Sequence, residues 1–430
     1  MVQANQAINS ILMISLHGYV GAVPELGKPD TGGQVVYVLE LAKRFSRLGM
    51  RVDLVTRQFE DQPEYDEVNT NLQVWRIPFG GREFIRKEDM HDYIGDFVTN
   101  LLAAIRTEGR QYSLVYSHYW DAGWAGQKIA EELAIPHVHT PHSLGWWKKN
   151  NMGADMDPAE MEETYRFEER IRKEFLVYQM CDYVIATTMP QVELLVREYD
   201  LLEQRVRAIP PGMDEERFSP VRGSERKRLQ EKYGFKDKDV LILGRMAHNK
   251  GYDLLLRGLP TLFELVPEAR LIAAVGSDES KQDQAGVSVL RELADELGIG
   301  GRIEWPSYVA DEDLPNYYRA AAVFAMPSRY EPFGMVSIEA MACGTPAVIT
   351  VHGGLFELID YGRHALYADP TRPIEIGTML SIPMLYPQLA HKLSVEGARF
   401  ARRNFGWTGI AKQILRIFDG VKQQAGDMMG

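Results

Sequence analysis

Ile11-Leu-Met-Ile-Ser-Leu16 is an apolar run broken only by Ser15, with none of the alternation of a strand that has one wet face. A run of that length and pattern reads as a strand buried on both faces. A glycine-rich loop follows through Gly33, and Val35-Val-Tyr-Val-Leu-Glu-Leu-Ala-Lys-Arg-Phe45 then carries helical periodicity that stops near Gly49. Strand, glycine-rich loop and helix in that order predict a parallel sheet covered by helices. Further apolar runs at Val52–Val55, Val74–Ile77, Leu114–Ser117, His137–Thr140 and Tyr183–Thr187, mostly spaced by helical segments, extend that sheet.

The pattern restarts at Val240-Leu-Ile-Leu-Gly244. The loop Arg245-Met-Ala-His-Asn-Lys-Gly251 leads into a helix expected at Tyr252–Leu259, with strands to follow at Leu271–Val275, Ile303–Trp305, Val323–Met326 and Ala347–Thr350. Between the two halves, Pro210-Pro-Gly-Met-Asp214 through about Pro220 is rich in turn formers, as a connection should be. The expected architecture is α/β, two Rossmann-like domains with parallel sheets facing an interdomain cleft. They span 1–215 and 216–407. Helices are expected at Pro387–Asn404 and Thr408–Gln424, the final one, about 408–430, packing back on the first domain.

The chain has 430 residues, 45% hydrophobic and 25% charged, enough for two or three domains with cores of their own. A formal charge of −12 repels polyanions, which argues against nucleic acid or an anionic membrane as partner. Any phosphate site must therefore be built from local cations and helix ends. Cys181 and Cys343 are far apart in apolar surroundings, so no disulfide framework is expected and the chain reads as cytoplasmic. Neither a signal peptide nor an apolar run of transmembrane length is found.

Chemistry concentrates in Glu331-Pro-Phe-Gly-Met-Val-Ser-Ile-Glu339. With Glu331 in the loop before a helix whose first turn carries Gly334, both acids reach one ligand lying across the helix start. Unpaired N–H groups around Gly334, Met335 and Val336 would point at a phosphate, Pro332 would fix the entry, and Gly334 would allow close approach. Arg245 and Lys250, after the first strand of the same domain, suit a leaving diphosphate, where a cation stabilises developing charge. In the first domain, the loop His17–Gly33 ends in Asp30-Thr-Gly-Gly-Gln34, which lacks the three spaced glycines of a dinucleotide fingerprint and disfavours nicotinamide or flavin. Asp311-Glu-Asp313 fits a D-x-D pattern but reads as an acidic helix start.

Asp30-Thr-Gly-Gly-Gln34, His142-Ser-Leu-Gly145, Gly244-Arg245 with Lys250, and Glu331 to Glu339 together resemble retaining glycosyltransferases of the GT-B fold, specifically the sucrose-phosphate synthase and sucrose synthase group. The resemblance runs from about residue 10 to 420. It implies catalytic roles for His142, Arg245, Lys250 and Glu331. Donor contacts would come from Gly32, Gly33, Arg245, Lys250, Gly334, Met335, Val336 and Glu339, with Glu331 on the sugar hydroxyls and Glu339 on the ribose. Gln34, Lys87, Ser143, Lys148 and Arg170 would bind the acceptor, the last four at or near its 6-phosphate. Lys87 and Arg170 otherwise lie in charged runs that read as solvated faces.

The implied reaction is transfer of glucose from UDP-glucose to fructose 6-phosphate, giving sucrose 6-phosphate and UDP. Trp146-Trp-Lys-Lys149 is closer to mannosylfructose-phosphate synthase, which keeps GDP-mannose open as donor, and free fructose remains open as acceptor. A nucleotide-sugar epimerase and a non-catalytic sugar-nucleotide sensor are the alternatives of another class. They are disfavoured respectively by the acceptor motifs and by an intact diphosphate grip. The chain shows neither the N-terminal extension of sucrose synthases nor an appended phosphatase domain, so a separate sugar phosphatase is expected to act on the product. No carboxylate is left over to act as a nucleophile. Front-face transfer, in which the departing diphosphate oxygen takes the acceptor proton, is the expected mechanism. No metal is assigned and no cofactor is required, Mg2+ being at most stimulatory.

Overall fold

Alternate residues along the first strand face different cores. In a computed structural model describing residues 9–23, 30, 33–152, 157–244, 246–276, 281–306, 309–329, 331 and 333–429, Ile11 and Met13 pack on one side of a sheet and Leu12 and Ile14 on the other. Fully buried strands with period-two alternation require cover on both faces, and helices supply it.

The chain falls into two units, residues 1–211 with 407–430, and 212–406. In the first, β1 (Ser10–Ile14), β2 (Arg51–Gln58), β3 (Tyr65–Asn69), β4 (Leu72–Pro78), β5 (Leu114–His118), β6 (His137–Thr140), β7 (Tyr183–Ala186) and β8 (Val206–Ala208) form one sheet. Its order is β3-β4-β2-β1-β5-β6-β7-β8. Every pairing is parallel except the β3–β4 edge. One face carries the helix Gly33–Arg47 and the apolar side of Trp407–Met429, through Phe45, Ile410, Ile414 and Phe418. The other carries Ile94–Thr107 and Tyr119–Leu133.

In the second unit, β9 (Asp239–Gly244), β10 (Arg270–Val275), β11 (Ile303–Glu304), β12 (Val323–Met326), β13 (Ala347–Thr350) and β14 (Leu366–Ala368) form an all-parallel sheet in the order β11-β10-β9-β12-β13-β14. Val240 and Ile242 meet the helices Tyr252–Leu265 and Pro373–Leu385, while Leu241 meets the opposite layer around Phe324 and Ile338.

Several elements differ from the sequence expectation. β3 lacks a continuous apolar run, and β8 and β14 are each three residues long. The first helix starts at Gly33, two residues before its apolar periodicity, and ends at Arg47 with Gly49 at φ +92°. The helix after Gly251 runs through Pro260 to Leu265, because burial of Leu262 and Phe263 outweighs the broken backbone hydrogen bond. Both cysteines are free and buried. Among the described residues no helix is long and apolar enough to cross a membrane.

Candidate active site

Ligands of parallel sheets sit beyond the carboxyl ends of the strands. In the first unit those ends are followed by His17 after β1, Tyr119 after β5, and His142 and Ser143 after β6.

Tyr119 organises this region. It is 4% exposed and takes φ +76°, an unfavourable value for a side chain with a Cβ. Its hydroxyl accepts from Lys148 Nζ at 3.2 Å and Arg170 Nη1 at 2.9 Å, and the Arg170 guanidinium lies 4.7 Å from its ring centroid. His17 meets the ring edge-on at 4.5 Å and reaches buried Asp121 through Nδ1 at 2.8 Å. Tyr119 was not among the sequence candidates. Its place directly after a strand was a signal, but nothing in the sequence showed two cations converging on it.

Arg170 lies on the helix Phe167–Met180 and is 4% exposed, which corrects its reading as part of a solvated face. Its Nε donates to Glu174 Oε1 at 2.8 Å, and Nη2 donates to the Ser143 carbonyl at 2.9 Å and hydroxyl at 3.2 Å. Burial works against its charge, but Glu174 more than offsets that and raises its pKa. Glu174, fully buried, also accepts from Gly145 N at 2.9 Å and the Tyr199 hydroxyl at 2.5 Å, while Trp146 N donates to that hydroxyl at 3.1 Å. The start of the helix Gly145–Met152 is thereby satisfied from within.

Lys87 forms an ion pair with Asp30 and a second with Glu88 at 3.2 Å. Burial lowers its pKa, but the Asp30 hydrogen bond and both carboxylates outweigh this and raise it. Lys148 has no carboxylate partner among the described residues. Lys87, Lys148 and Arg170 line one pocket of about 90 Å³ with Glu88, Trp120, Tyr165 and Phe167. Three expected acceptor-phosphate residues are thus brought together. Ser143 does not line the pocket; its oxygens are engaged by Arg170.

Gln34 is half-buried on the first helix and donates weakly to Ser15 Oγ at 3.4 Å. Gly33 is the first residue of that helix, not part of a turn, and a Cβ there would meet nothing within 4 Å. Gly32 lies outside the described residues. His142, at φ +56°, has its carbonyl held by Gln191 Nε2 at 3.1 Å and its Nε2 3.1 Å from His118 Nδ1. Burial, helped by the field of His17, pushes its pKa down to about 3, so the ring is neutral near pH 7. Trp147 is 46% exposed.

In the second unit Lys250 Nζ lies 2.6 Å from Glu331 Oε2, which also accepts from Ser328 Oγ at 3.3 Å. The sequence reading gave these two residues separate ligands; the fold makes them a pair, with Glu331 only 8% exposed. Arg329 grips Asp253 through both guanidinium nitrogens, at 2.7 and 2.6 Å, and donates to the His248 carbonyl at 3.1 Å, bracing the turn that carries Lys250. Gly251 is required there: it has φ +66° and a Cβ would lie 2.1 Å from the Pro327 carbonyl oxygen.

Gly334 caps the helix Met335–Ala342 at φ +94°, so it precedes the first turn. A Cβ there would meet Met326 Cε at 2.9 Å, which makes its smallness a need of backbone and core as well as of ligand approach. Met335 and Val336, both half-buried, form the first turn. Glu339 Oε2 accepts from buried Tyr318 at 3.0 Å, and burial raises its pKa to about 7. Arg245 and Pro332 lie outside the described residues. Asp311–Asp313 forms a turn leading into the helix Leu314–Ala320, with Asp311 paired to Arg217 at 2.8 Å and Asp313 accepting from the Tyr233 hydroxyl. Among the described residues no cluster of three His, Cys, Asp or Glu side chains is arranged to hold a metal.

Comparison with known proteins adds family evidence. Residues 31–217 match glycosyltransferase family 4, and residues 225–394 match glycosyl transferases group 1. The chain is 51% identical over 415 residues to mannosylfructose-phosphate synthase of Agrobacterium fabrum, covering 95% of this chain and 91% of the relative. It is 32% identical to D-inositol 3-phosphate glycosyltransferase of Corynebacterium jeikeium, over 95% and 96% of the two chains. The structure of a sucrose-phosphate synthase from Thermosynechococcus elongatus superposes with a TM-score of 0.72 at 27% identity, over 97% of this chain and all of that one.

Proposed function

We propose, since the chain belongs to the nucleotide-sugar-dependent glycosyltransferases of GT-B fold, that it transfers a hexose to fructose 6-phosphate with retention. The observation that carries the acceptor is the pocket lined by Lys87, Lys148 and Arg170. A phosphate dianion is best held by converging cations, and Lys148 brings a charge that no carboxylate among the described residues offsets. The sequence motifs placed UDP-glucose first; 51% identity to a mannosylfructose-phosphate synthase favours mannose, carried by GDP-mannose. Glucose from UDP-glucose is the second reading, supported by the likeness to a sucrose-phosphate synthase structure.

In this reading Lys250 and Arg245 stabilise the departing diphosphate, aided by the helix start at Met335. Glu331, fixed by Lys250 and Ser328, accepts from hydroxyls of the hexose, and Glu339 from the ribose. The leaving oxygen takes the acceptor proton on the face where the new bond forms. No metal is needed in this scheme, and the product keeps its phosphate for a separate phosphatase.

Nucleotide release should be measured from GDP-mannose and from UDP-glucose, each with fructose 6-phosphate and with free fructose. GDP release that requires the phosphorylated acceptor is expected. UDP release would move the protein to the glucose reading. Equal rates with free fructose would remove the phosphate pocket from the account.

A further inference from the structure

His118 ends β5 and is fully buried, with its Nδ1 3.1 Å from His142 Nε2. Burial holds both rings neutral, the fields of the neighbouring histidines adding to it. One hydrogen therefore lies between the facing nitrogens, and it belongs to one of them. The far side of His118 decides which. His118 Nε2 is buried with no hydrogen-bond partner. A hydrogen there would be an orphaned buried donor, which folded proteins tolerate less than an unfilled acceptor. The hydrogen of His118 therefore sits on Nδ1 and is donated to His142 Nε2. A neutral His142 that accepts through Nε2 must carry its own hydrogen on Nδ1. That nitrogen has no partner among the described residues, but unlike His118 Nε2 it is not among the fully buried orphans, because His142 is only half-buried.

The surroundings hold this arrangement in one register. The Tyr37 ring packs edge-on against His142 at 4.8 Å and against His118 at 5.9 Å, and Tyr116 packs edge-on against His118 at 4.2 Å. Gln191 ties down the His142 carbonyl, which fixes the backbone from which the ring projects.

We propose that His118 is a positioning residue that fixes His142 as its Nδ1–H tautomer, so that the imidazole offers a hydrogen-bond donor to an oxygen of the transferring hexose. The donor role rests on the reading that His142 faces that sugar; the tautomer does not.

Histidine-selective 15N labelling of the full chain, read by long-range 1H–15N correlation, tests it directly. The His142 signals are assigned by their loss in His142→Gln. A protonated Nδ1 and a bare Nε2 on His142 are expected. A protonated Nε2 in the unmodified protein overturns the proposal. His118→Asn, which places an amide N–H near the former Nδ1, should keep the His142 pattern and hold kcat within about threefold. His118→Phe should lose the pattern and lower kcat about tenfold, the scale of one hydrogen bond, with the nucleotide-sugar KM unchanged. An unchanged tautomer or unchanged kcat in His118→Phe counts against the positioning role. Should that variant not fold, the spectrum of the unmodified protein decides alone. If the tautomer is found but His142→Ala keeps full activity, the sugar-facing reading falls while the placement of the hydrogen stands.

Discussion

Among the described residues of the first unit seven non-glycine residues take positive φ, namely Asp30, Glu60, Tyr119, Ala134, His142, Arg166 and Asp200, whereas every described residue of the second unit with positive φ is a glycine. At three of the seven the side chain belongs to the proposed site. Tyr119 carries the hydroxyl on which Lys148 and Arg170 converge, His142 carries the imidazole paired with His118, and Asp30 holds Lys87. A glycine at any of these positions would relax the backbone and remove the chemistry, so the strain is retained. Around Lys250 and Glu331 the turns only have to bring backbone segments close together, and Gly251 and Gly334 do so without strain. Both units nevertheless treat cations alike. Lys87 is matched by Asp30, Arg170 by Glu174, and Lys250 by Glu331, so an anionic ligand meets positions already ordered by carboxylates.

The largest effect is expected where that matching is broken. Lys250→Met removes a charge from the proposed diphosphate site and leaves Glu331 buried without its ion-pair partner. A loss of roughly 10²–10³ in kcat is expected. Destabilisation of up to about 3 kcal/mol should accompany it, below the range for fully buried pairs because Lys250 is partly exposed. The double variant Lys250→Met/Glu331→Gln should recover most of the melting temperature and none of the activity. Recovery of both would show the pair to be structural only.

On the other side of the comparison, Tyr119→Phe keeps the ring and the strained backbone but deletes the oxygen that accepts from two cations. The KM for the phosphorylated acceptor should rise about tenfold, since a hydrogen bond to a charged group contributes roughly 1.5 kcal/mol or more. The rate with the unphosphorylated sugar should hardly change. An equal loss with both acceptors would mean that Tyr119 supports the fold and not the phosphate.

How much of this was legible in the sequence depended on whether the signal was local. β1, β5, β9 and β12 are short apolar runs that announce themselves, and Lys250 and Glu331 stand in the loops that follow β9 and β12. β3 and β14 are edge strands, the first without a continuous apolar run and the second only three residues long, so neither stands out in the sequence. Lys87, Lys148 and Arg170 were found through family resemblance, because 61 residues separate Lys87 from Lys148 and no local pattern places them together. Burial of Arg170 was hidden for another reason. In the helix Phe167–Met180 charged residues crowd the stretch Glu168–Glu174, and Glu174, one turn after Arg170, marks the side that faces inward. Tyr119 and His118 were hidden because their importance lies in positive φ and in an orphaned ring nitrogen, neither of which has a sequence signature.

A smaller effect is expected at Glu339. Burial first of all, opposed by the Tyr318 hydrogen bond and Arg217 and helped by Asp311, holds its carboxyl near 7, above the ordinary 4.5. As pH rises from about 4.5 to 7, the unfolded chain releases this proton before the folded one does. The group therefore subtracts stability progressively across that window. If the carboxylate accepts from the ribose, nucleotide affinity should rise severalfold as pH passes upward through about 7, and Glu339→Gln should flatten that rise. A profile identical in both proteins would detach Glu339 from the nucleotide.

The mildest change tests the strain argument by its converse. Ala134 has φ +53° at the end of the helix Tyr119–Leu133; it is exposed, and only its backbone N–H is used, donating to the carbonyls of Ala130 and Glu131. Glycine makes the same cap without the Cβ penalty, at the cost of more freedom in the unfolded chain. Ala134→Gly should therefore stabilise the protein by about 0.5 kcal/mol, raising Tm by a degree or two, and leave activity with either acceptor untouched. Tyr119→Gly makes the same backbone relief where the side chain organises two cations, and there the gain should be erased and the phosphorylated-acceptor activity lost. If both glycine variants behaved alike, positive φ in this unit would be incidental; if only Ala134→Gly is benign, the strain at Tyr119 is retained for the hydroxyl it presents.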